Sequence, residues 1–266
     1  MLMDKIKKLI AEELELINEE LEKICITQIR EDLIKFLMSP TKRIRSILAL
    51  LYLKCSSQVI DKNIIDLLCA TEIIHNASLL HDDVLDDANT RRGKTTLSEI
   101  YSPKVAILTG DFLISQAVEK LIKINNSQIM KIYKDCMQNM CEAEIQQFFA
   151  RNSVPTEEEY ISICEGKTAK LFEAVMKSCG ILLKFDENIA AKIGKDFGIL
   201  YQIKNDLNEI SAKADRKNGI YTAKDVFGIE KTNILIDNYV EGIRREIDSL
   251  PQNIYKDGLE ELLKLI

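Results

Sequence analysis

The sequence predicts an all-α protein, and three observations support this. The 266 residues include only 10 Gly and 4 Pro. Leu, Ile, Lys, Glu and Ala are abundant, and all of them except Ile are strong helix formers. Apolar residues also recur at helical spacing along most of the chain. We therefore expect a bundle of helices.

Nine helical segments are predicted in chain order, and the prolines support their limits. Proline lacks an N–H and does least damage between helices, and the four prolines, at positions 40, 103, 155 and 251, fall at proposed breaks. No repeat, low-complexity tract or long linker divides the chain, which favours one domain over residues 1–266. The predicted helices cover 3–37, 41–56, 61–88, 103–124, 126–150, 156–180, 186–212, 221–248 and 254–265.

The composition argues against several classes of protein. The 36 Lys and Arg are outnumbered by 42 Asp and Glu, which gives no reason to expect a nucleic-acid partner. The seven cysteines form no CxxC pair, and the N-terminus is acidic and amphipathic rather than signal-like, so we expect reduced thiols in the cytoplasm. The longest apolar runs, such as ILALLYL at 47–53, are too short to span a bilayer.

Four aspartates fall within six residues in the stretch LLHDDVLDDANTRRGKTT (79–96). On a helix, Asp82 and Asp86 share a face, as do Asp83 and Asp87, so that Asp82, Asp83 and Asp86 form a DDxxD triplet. Carboxylates placed in this way repel one another unless a cation joins them. Hard oxygen ligands suit Mg²⁺, which completes its shell with water and phosphate oxygens. A frayed acidic helix end is the alternative.

The cations that follow the triplet favour the metal interpretation. Arg91, Arg92 and Lys94 lie just beyond it, where Gly93 allows a tight turn. Guanidinium groups bind phosphate in a bidentate manner. A metal-bridged phosphate held between aspartates and arginines would be one coherent site.

A second polar cluster occurs in YQIKNDLNEI (201–210), where Asn205, Asp206 and Glu209 repeat the spacing of the first triplet. Two such clusters, each ending an apolar helix, could face each other across a cavity. The alternative is a solvated helix face.

Two basic groups could supply a further anion site. Lys42, Arg43 and Arg45 stand at the start of a predicted helix, where backbone N–H groups and the helix dipole also attract anions. Lys167 and Thr168 follow Gly166 in EGKTAKLF (165–172). Each group taken alone is more often an ordinary surface patch than a ligand site.

These motifs, taken together, resemble the trans-type polyprenyl diphosphate synthases, medium- and long-chain octaprenyl-synthase-like enzymes. TKRIR (41–45) resembles the GGKRLR motif of that family, and LLHDDVLDDANTRRGKTT is similar to its first aspartate-rich motif. GDFL (110–113), GKTAKLF (166–172), YQIKNDLNE (201–209) and DRKNGIYTA (215–223) follow in the family order. Six ordered matches between residues 38 and 228 are far more specific than any one of them.

The resemblance implies an isoprenoid-synthase fold, a helical bundle around a hydrophobic tunnel, and two diphosphate sites. The allylic diphosphate, expected to be farnesyl diphosphate, would bind through two or three Mg²⁺ ions, and isopentenyl diphosphate would occupy the second site. The implied metal ligands are Asp82, Asp83, Asp86 and Asp206, which with Lys167 form the catalytic set. Arg91, Lys167, Thr168 and Gln202 would contact the allylic diphosphate, and Lys42, Arg45, His75 and Arg92 the isopentenyl diphosphate.

The resemblance also implies a reaction mechanism and a product. The diphosphate would leave, the double bond of isopentenyl diphosphate would attack the allylic carbocation, and a proton would then be lost. The small residues Ala77 and Ser78, one turn before the first triplet, would let a growing tail pass, which predicts a medium or long chain for a quinone. We expect a homodimer that releases its product at a membrane surface.

Several departures from the family keep alternatives open. Asn205 and Glu209 replace two aspartates of the second motif, and the segment between Glu209 and Asp215 is short for the family. Pro40 and Thr41 replace two glycines, and Ser46 replaces a proline. The alternatives are a short-chain farnesyl or geranylgeranyl synthase, a noncatalytic subunit of a heteromeric synthase, and a terpene cyclase. A cyclase needs no isopentenyl site, and NDLNEISAK lacks its NDxxSxxxE pattern.

Overall fold

A computed structural model describes residues 2–39, 41–56, 59–184, 186–208, 212 and 215–266. The described residues are overwhelmingly helical, which confirms the predicted all-α class. Pro40, and with it one proposed helix break, lies outside the described residues. The described helices are α1 Leu2–Lys8, α2 Ala11–Glu22, α3 Arg30–Leu37, α4 Ile44–Cys55, α5 Lys62–Leu85, α6 Leu97–Ile100, α7 Pro103–Ile124, α8 Ser127–Phe149, α9 Glu157–Cys164, α10 Lys170–Leu183, α11 Glu187–Asp206, α12 Ala223–Asp248 and α13 Ile254–Leu265.

The contacts of the chain cluster into two compact units. The N-terminal unit comprises Ile10–Leu50 and Ile60–Asn126, and the C-terminal unit comprises Met1–Leu9, Leu51–Val59 and Ser127–Ile266. The expectation of a single domain stays a prediction. No helix in the described part of the chain is both long enough and apolar enough to cross a bilayer.

The N-terminal unit is built around α5, which packs against α2 and α7. The side chain of Asp61 begins the helix by accepting the N–H of Ile64 at 3.0 Å, a standard N-cap contact. Most of α5 is buried on all sides, as expected of a helix inside a core. Among its buried residues are five polar side chains, and three of these concern the candidate site: Glu72, Asn76 and Asp83.

The prediction of one helix over 3–37 was wrong, because the segment forms three helices. A turn at Leu9 and Ile10 separates α1 from α2, and a 3₁₀ turn at Thr27–Ile29 precedes α3. The second break falls in ICITQI (24–29), where β-branched residues and Cys have weak helix propensity. Buried Ile10, Ile24 and Ile29 continue the apolar spacing through both breaks, so periodicity alone did not reveal them.

Two glycines of the C-terminal unit allow close contact between helices. A Cβ at Gly194 would stand 2.5 Å from the carbonyl oxygen of Phe172, and one at Gly198 would stand 2.5 Å from Cα of Ala169. Helix α11 therefore lies directly against the backbone of α10 and of the segment before it. That segment, Glu165–Ala169, is a single π-helical stretch that interrupts the helix predicted over 156–180.

Candidate active site

The first aspartate triplet lies at the C-terminal end of α5 in the N-terminal unit. The helix ends at Leu85, three residues before the predicted limit, and the Asp86 N–H still bonds to the carbonyl of Asp82 at 2.9 Å. Asp87 has a φ of 47°. The prediction that Asp83 and Asp87 share a helical face is therefore wrong, because a left-handed residue turns the chain off the helix.

A two-residue hairpin follows the triplet. Strand β1 (Thr90–Arg91) pairs with β2 (Lys94–Thr95), and the turn residues Arg92 and Gly93 have φ values of 53° and 75°. Two successive positive φ values are the signature of a type I′ turn. The tight turn that Gly93 predicted is present, but the flanking strands were not predicted.

The hairpin directs Arg91 to the triplet. Its Nη2 lies 2.6 Å from Oδ1 of Asp83, and its Nε donates to the same oxygen at 2.7 Å. Asp83 is 1% exposed. Burial raises the pKa of this carboxyl, and Arg91 opposes that rise by stabilising the charged form.

The triplet fits a divalent cation by its donor chemistry. Its three carboxylates supply the hard oxygens that Mg²⁺ prefers, and Oδ2 of Asp83 is buried without a hydrogen-bond partner among the described residues. Across that same part of the chain, no three His, Cys, Asp or Glu side chains are arranged so that they could already hold a metal ion. The assignment of Asp82, Asp83, Asp86 and Asp206 as metal ligands stays a prediction.

Four arginines act electrostatically on His75, which lies about two turns before the triplet on α5. Desolvation lowers the pKa of His75 well below its usual value, and the charges of Arg45, Arg92, Arg91 and Arg43 lower it further, in that order. His75 is thus neutral near pH 7 and can offer a hydrogen bond without adding charge. The structure brings cations from residues 43–45 and 91–92 to one place, as a diphosphate site requires.

Two other residues of the predicted isopentenyl diphosphate site, Arg92 and Lys42, lie in the hairpin turn and just before α4. Arg92 donates from Nη1 to Oγ of Ser39 at 3.0 Å, which ties the turn to the segment after α3. Lys42 is exposed and lies just before α4. Unlike Lys42, Arg43 is buried: it is 9% exposed and forms an ion pair with Glu72.

The two small residues before the triplet differ in environment. Ala77 is fully buried, whereas Ser78 is half-buried and donates from Oγ to the carbonyl of His75 at 2.9 Å. Farther along α5, Nε2 of His81 lies 3.3 Å from the carbonyl of Ile107. A Cβ at Gly110, in the GDFL motif, would come within 2.3 Å of that nitrogen, so the glycine makes room for His81.

Asp206 forms the centre of a hydrogen-bonded network in the C-terminal unit. Its Oδ2 accepts from the hydroxyl of Tyr160 at 2.7 Å and from the N–H of Ala223 at 2.9 Å, and its Oδ1 accepts from Nε2 of Gln202 at 2.8 Å. Oγ1 of Thr168 donates to Oε1 of Gln202 at 2.8 Å. Burial raises the pKa of Asp206, although the three donors act in the opposite direction. Both carboxylate oxygens are therefore already engaged by the protein.

Lys167 stands in the π-helical stretch and points to α8. Its Nζ lies 2.7 Å from Oε2 of Glu144 and donates to Oε1 of Gln147 at 2.8 Å. A π-helical turn often marks a functional position. A cavity of about 100 Å³ lies beside these groups, and its lining includes Gln147, Tyr160, Lys167, Thr168, Gln202 and Asp206.

The structure thus brings together Lys167, Thr168, Gln202 and Asp206, which the sequence had placed in one site by resemblance. It adds Tyr160, Glu144 and Gln147, for which no sequence signal was available, because their partners lie 20 or more residues away. Asn205 is half-buried beside Asp206 on α11. Glu209, the last member of the second motif, lies outside the described residues.

The chain is similar to a known protein family and to curated proteins. The family model described as polyprenyl synthetase matches residues 14–253. A "Prenyl transferase" of Cyanidium caldarium is 34% identical over 178 residues, which cover 62% of this chain and 55% of the relative. "Solanesyl diphosphate synthase 1, chloroplastic" of Arabidopsis thaliana is 32% identical over 173 residues, 60% of this chain and 43% of the relative. The matched part therefore spans about half the length of these curated relatives.

Solved structures show the same fold. A polyprenyl synthase from Caulobacter crescentus, complexed with calcium and isoprenyl diphosphate, superimposes with a TM-score of 0.82 at 21% identity and covers 98% of this chain and 96% of that one. At that identity the likeness shows the fold alone. The family model, in contrast, matches well over half of the chain, and the chain belongs to the polyprenyl synthetase family.

Proposed function

We propose that the protein is a Mg²⁺-dependent prenyltransferase that condenses isopentenyl diphosphate with an allylic diphosphate, head to tail and in the trans configuration. The observation that carries this proposal is the convergence of four arginines on His75, on the helix that ends in the aspartate triplet. His75 and the triplet thus lie on a single helix, with cations for one diphosphate near His75 and carboxylates for a second, metal-bound diphosphate at the helix end.

The residues divide the work between binding and leaving-group stabilisation. Lys42, Arg45, His75 and Arg92 hold isopentenyl diphosphate, with His75 as a neutral hydrogen-bonding group. Asp82, Asp83 and Asp86, with Asp206, would hold two or three Mg²⁺ ions, and bound Mg²⁺ would supply positive charge against the charge that develops on the departing allylic diphosphate. Lys167, Thr168, Gln202 and Arg91 assist by binding that diphosphate. The apolar faces of the helices that line the tunnel exclude water, which would otherwise capture the carbocation.

The test is an incubation of the purified chain with Mg²⁺, isopentenyl diphosphate and farnesyl diphosphate. A synthase yields longer prenyl diphosphates, and a cyclase would instead consume farnesyl diphosphate alone and give a hydrocarbon. A chain that folds, binds both substrates and forms no product would be a noncatalytic subunit. Two observations favour the noncatalytic subunit as a second candidate, which the same assay tests. Asn205 stands where the family motif has an aspartate, and Lys167 is paired with Glu144.

Substitution of the isopentenyl-side cations should raise one Michaelis constant selectively. Lys42→Ala and Arg45→Ala each remove a charge-assisted contact worth about 1.5–3 kcal/mol, so the KM for isopentenyl diphosphate should rise about tenfold or more. The KM for the allylic substrate should move much less. Steady-state kinetics with each substrate varied in turn will measure both, and a larger allylic shift would show that the two sites are exchanged.

We further propose that the product is a medium- or long-chain polyprenyl diphosphate used as a quinone side chain. Support comes from the small residues Ala77 and Ser78, and from the similarity to a solanesyl diphosphate synthase. We also propose a cytoplasmic homodimer that releases its product at a membrane surface. Sedimentation of the purified protein will test the homodimer, and fractionation of cells will test the cytoplasmic location and the association with membranes.

A bulky residue at position 78 should shorten the product. Ser78 lies four residues before Asp82, about 6 Å along the helix axis at 1.5 Å per residue, and its partial exposure leaves room for a larger side chain. Ser78→Phe is expected to limit the product to about three or four isoprene units while the first condensation persists, by analogy with the family. Chromatography of the dephosphorylated products will show the distribution.

Ala77→Phe provides the companion variant. Because Ala77 is fully buried, phenylalanine there should also overpack the helix interface and lower stability by about 1–3 kcal/mol. An unchanged long product from a folded, active Ser78→Phe enzyme would mean that the tail takes another route.

A further inference from the structure

The segment that carries Lys42 and Arg45 is held in an unfavourable backbone conformation. Arg43 begins α4, since its carbonyl accepts the N–H of Ile47 at 2.9 Å, and its φ is 50°. A left-handed arginine is uncommon, and such a residue persists only where its surroundings hold it. Lys42 and Arg45 flank this residue in the chain, so a contact that holds Arg43 also restricts where they can lie.

Glu72 provides that hold from α5. Its Oε1 accepts from Oγ of Ser46 at 2.6 Å, and its Oε2 pairs with Nη1 of Arg43 at 3.6 Å. Ser46 is fully buried and Glu72 is 1% exposed. Both oxygens of one buried carboxylate thus engage the first turn of α4 and the residue that begins it.

The same carboxylate is fixed relative to the diphosphate-binding residues. Glu72 precedes His75 by three residues, which places the two on adjacent turns of one helix face. Nδ2 of Asn76 donates to the carbonyl of Glu72 at 2.7 Å. Ser46 stands where the family motif has a proline, which has no hydroxyl to donate, so this contact is a feature of the present sequence.

We propose that Glu72 is a positioning residue for the isopentenyl-side diphosphate site and that it acts through Ser46 and Arg43. The buried carboxylate anchors the 41–46 segment to α5, and in this way sets Lys42 and Arg45 opposite His75. The identity of the substrate in this inference rests on the proposed function. The existence of an anion site does not.

Two variants test separately the contacts of Glu72 with Ser46 and with Arg43. Ser46→Ala removes the donor to Oε1, and Glu72→Gln keeps an acceptor for Ser46 but removes the charge that pairs with Arg43. Each should raise the KM for isopentenyl diphosphate about five- to tenfold, with less than about a twofold change in the KM for farnesyl diphosphate. Thr71→Val is the matched control, because Thr71 is a buried α5 neighbour whose hydroxyl bonds within its own helix, to Leu67. Its loss of a buried hydroxyl should lower the melting temperature without changing either KM.

Titration calorimetry with inorganic diphosphate, in EDTA to silence metal-dependent binding, tests the positioning role without turnover. We expect Ser46→Ala and Glu72→Gln to bind diphosphate about five- to tenfold more weakly than the wild type and Thr71→Val to bind it equally well. If the wild type forms no product yet this pattern holds, the proposed function fails and the positioning role stands. Unchanged diphosphate affinity in both folded variants, or an equal rise of both KM values, would overturn the positioning role.

Discussion

Asp82→Asn is expected to lower kcat about 100-fold or more while the protein stays folded. The substitution keeps the size of the side chain and removes one negative charge from a half-exposed position at the end of α5. If that charge holds the cation that stabilises the leaving diphosphate, the loss falls on the transition state, where single electrostatic contacts are worth about 10²–10³ in rate. Turnover at saturating Mg²⁺ and urea unfolding will measure the two quantities separately.

The matched control lies five residues away. Asp87 is exposed and its left-handed backbone takes it off the helix, so Asp87→Asn should leave kcat within about twofold. Asp83→Asn should combine both effects, because it also weakens the buried pair with Arg91. Near-normal turnover of Asp82→Asn would refute the role of the triplet in catalysis.

Asp206→Ala should destabilise the C-terminal unit by about 3–5 kcal/mol. The change leaves the hydroxyl of Tyr160, the N–H of Ala223 and the amide of Gln202 without their acceptor, and each unsatisfied buried donor costs about 1–3 kcal/mol. Asn205→Ala, at the adjacent half-buried position, should cost less than about 1 kcal/mol. Urea denaturation gives both values.

The same variants address the metal assignment of Asp206. Asp206→Asn retains one acceptor oxygen, so it should lose less stability than Asp206→Ala. A rise in the Mg²⁺ concentration needed for half-maximal activity would support its role as a ligand, whereas an unchanged requirement with lowered stability would make it a structural residue. A loss of stability below about 1 kcal/mol for Asp206→Ala would contradict the network described here.

Sequence reasoning worked best where local signals agree. The helix at 103–124 was predicted with its observed limits, because Ser102 caps it, Pro103 occupies its first turn and its apolar spacing is regular. The helix at 254–265 was predicted with equal accuracy, and Asn253 caps it. In both, the start signal and the periodicity come from neighbouring residues.

Long-range contacts could not be predicted in this way. The motifs located Asp83 and Arg91, eight residues apart, but not the bond between Asp206 and Tyr160, which are 46 residues apart. The π-helical stretch at 165–169 also has no distinct composition, since its geometry depends on packing against α8 and α11. Tertiary contacts decide such features, and one sequence does not record them.

The two-residue turn of the hairpin has a consequence for how this region can change over evolutionary time. Consecutive arginines stand on either side of the point where β1 ends, and each serves a different partner: Arg91 reaches Asp83, and Arg92 reaches Ser39. An insertion or deletion between residues 90 and 95 would disrupt the pairing of Thr90 with Thr95 and of Arg91 with Lys94, and would replace the two-residue turn that contains Arg92. Both arginines would then be misdirected by one event, so the length of this hairpin should be far less free to vary than that of the other connections in the chain.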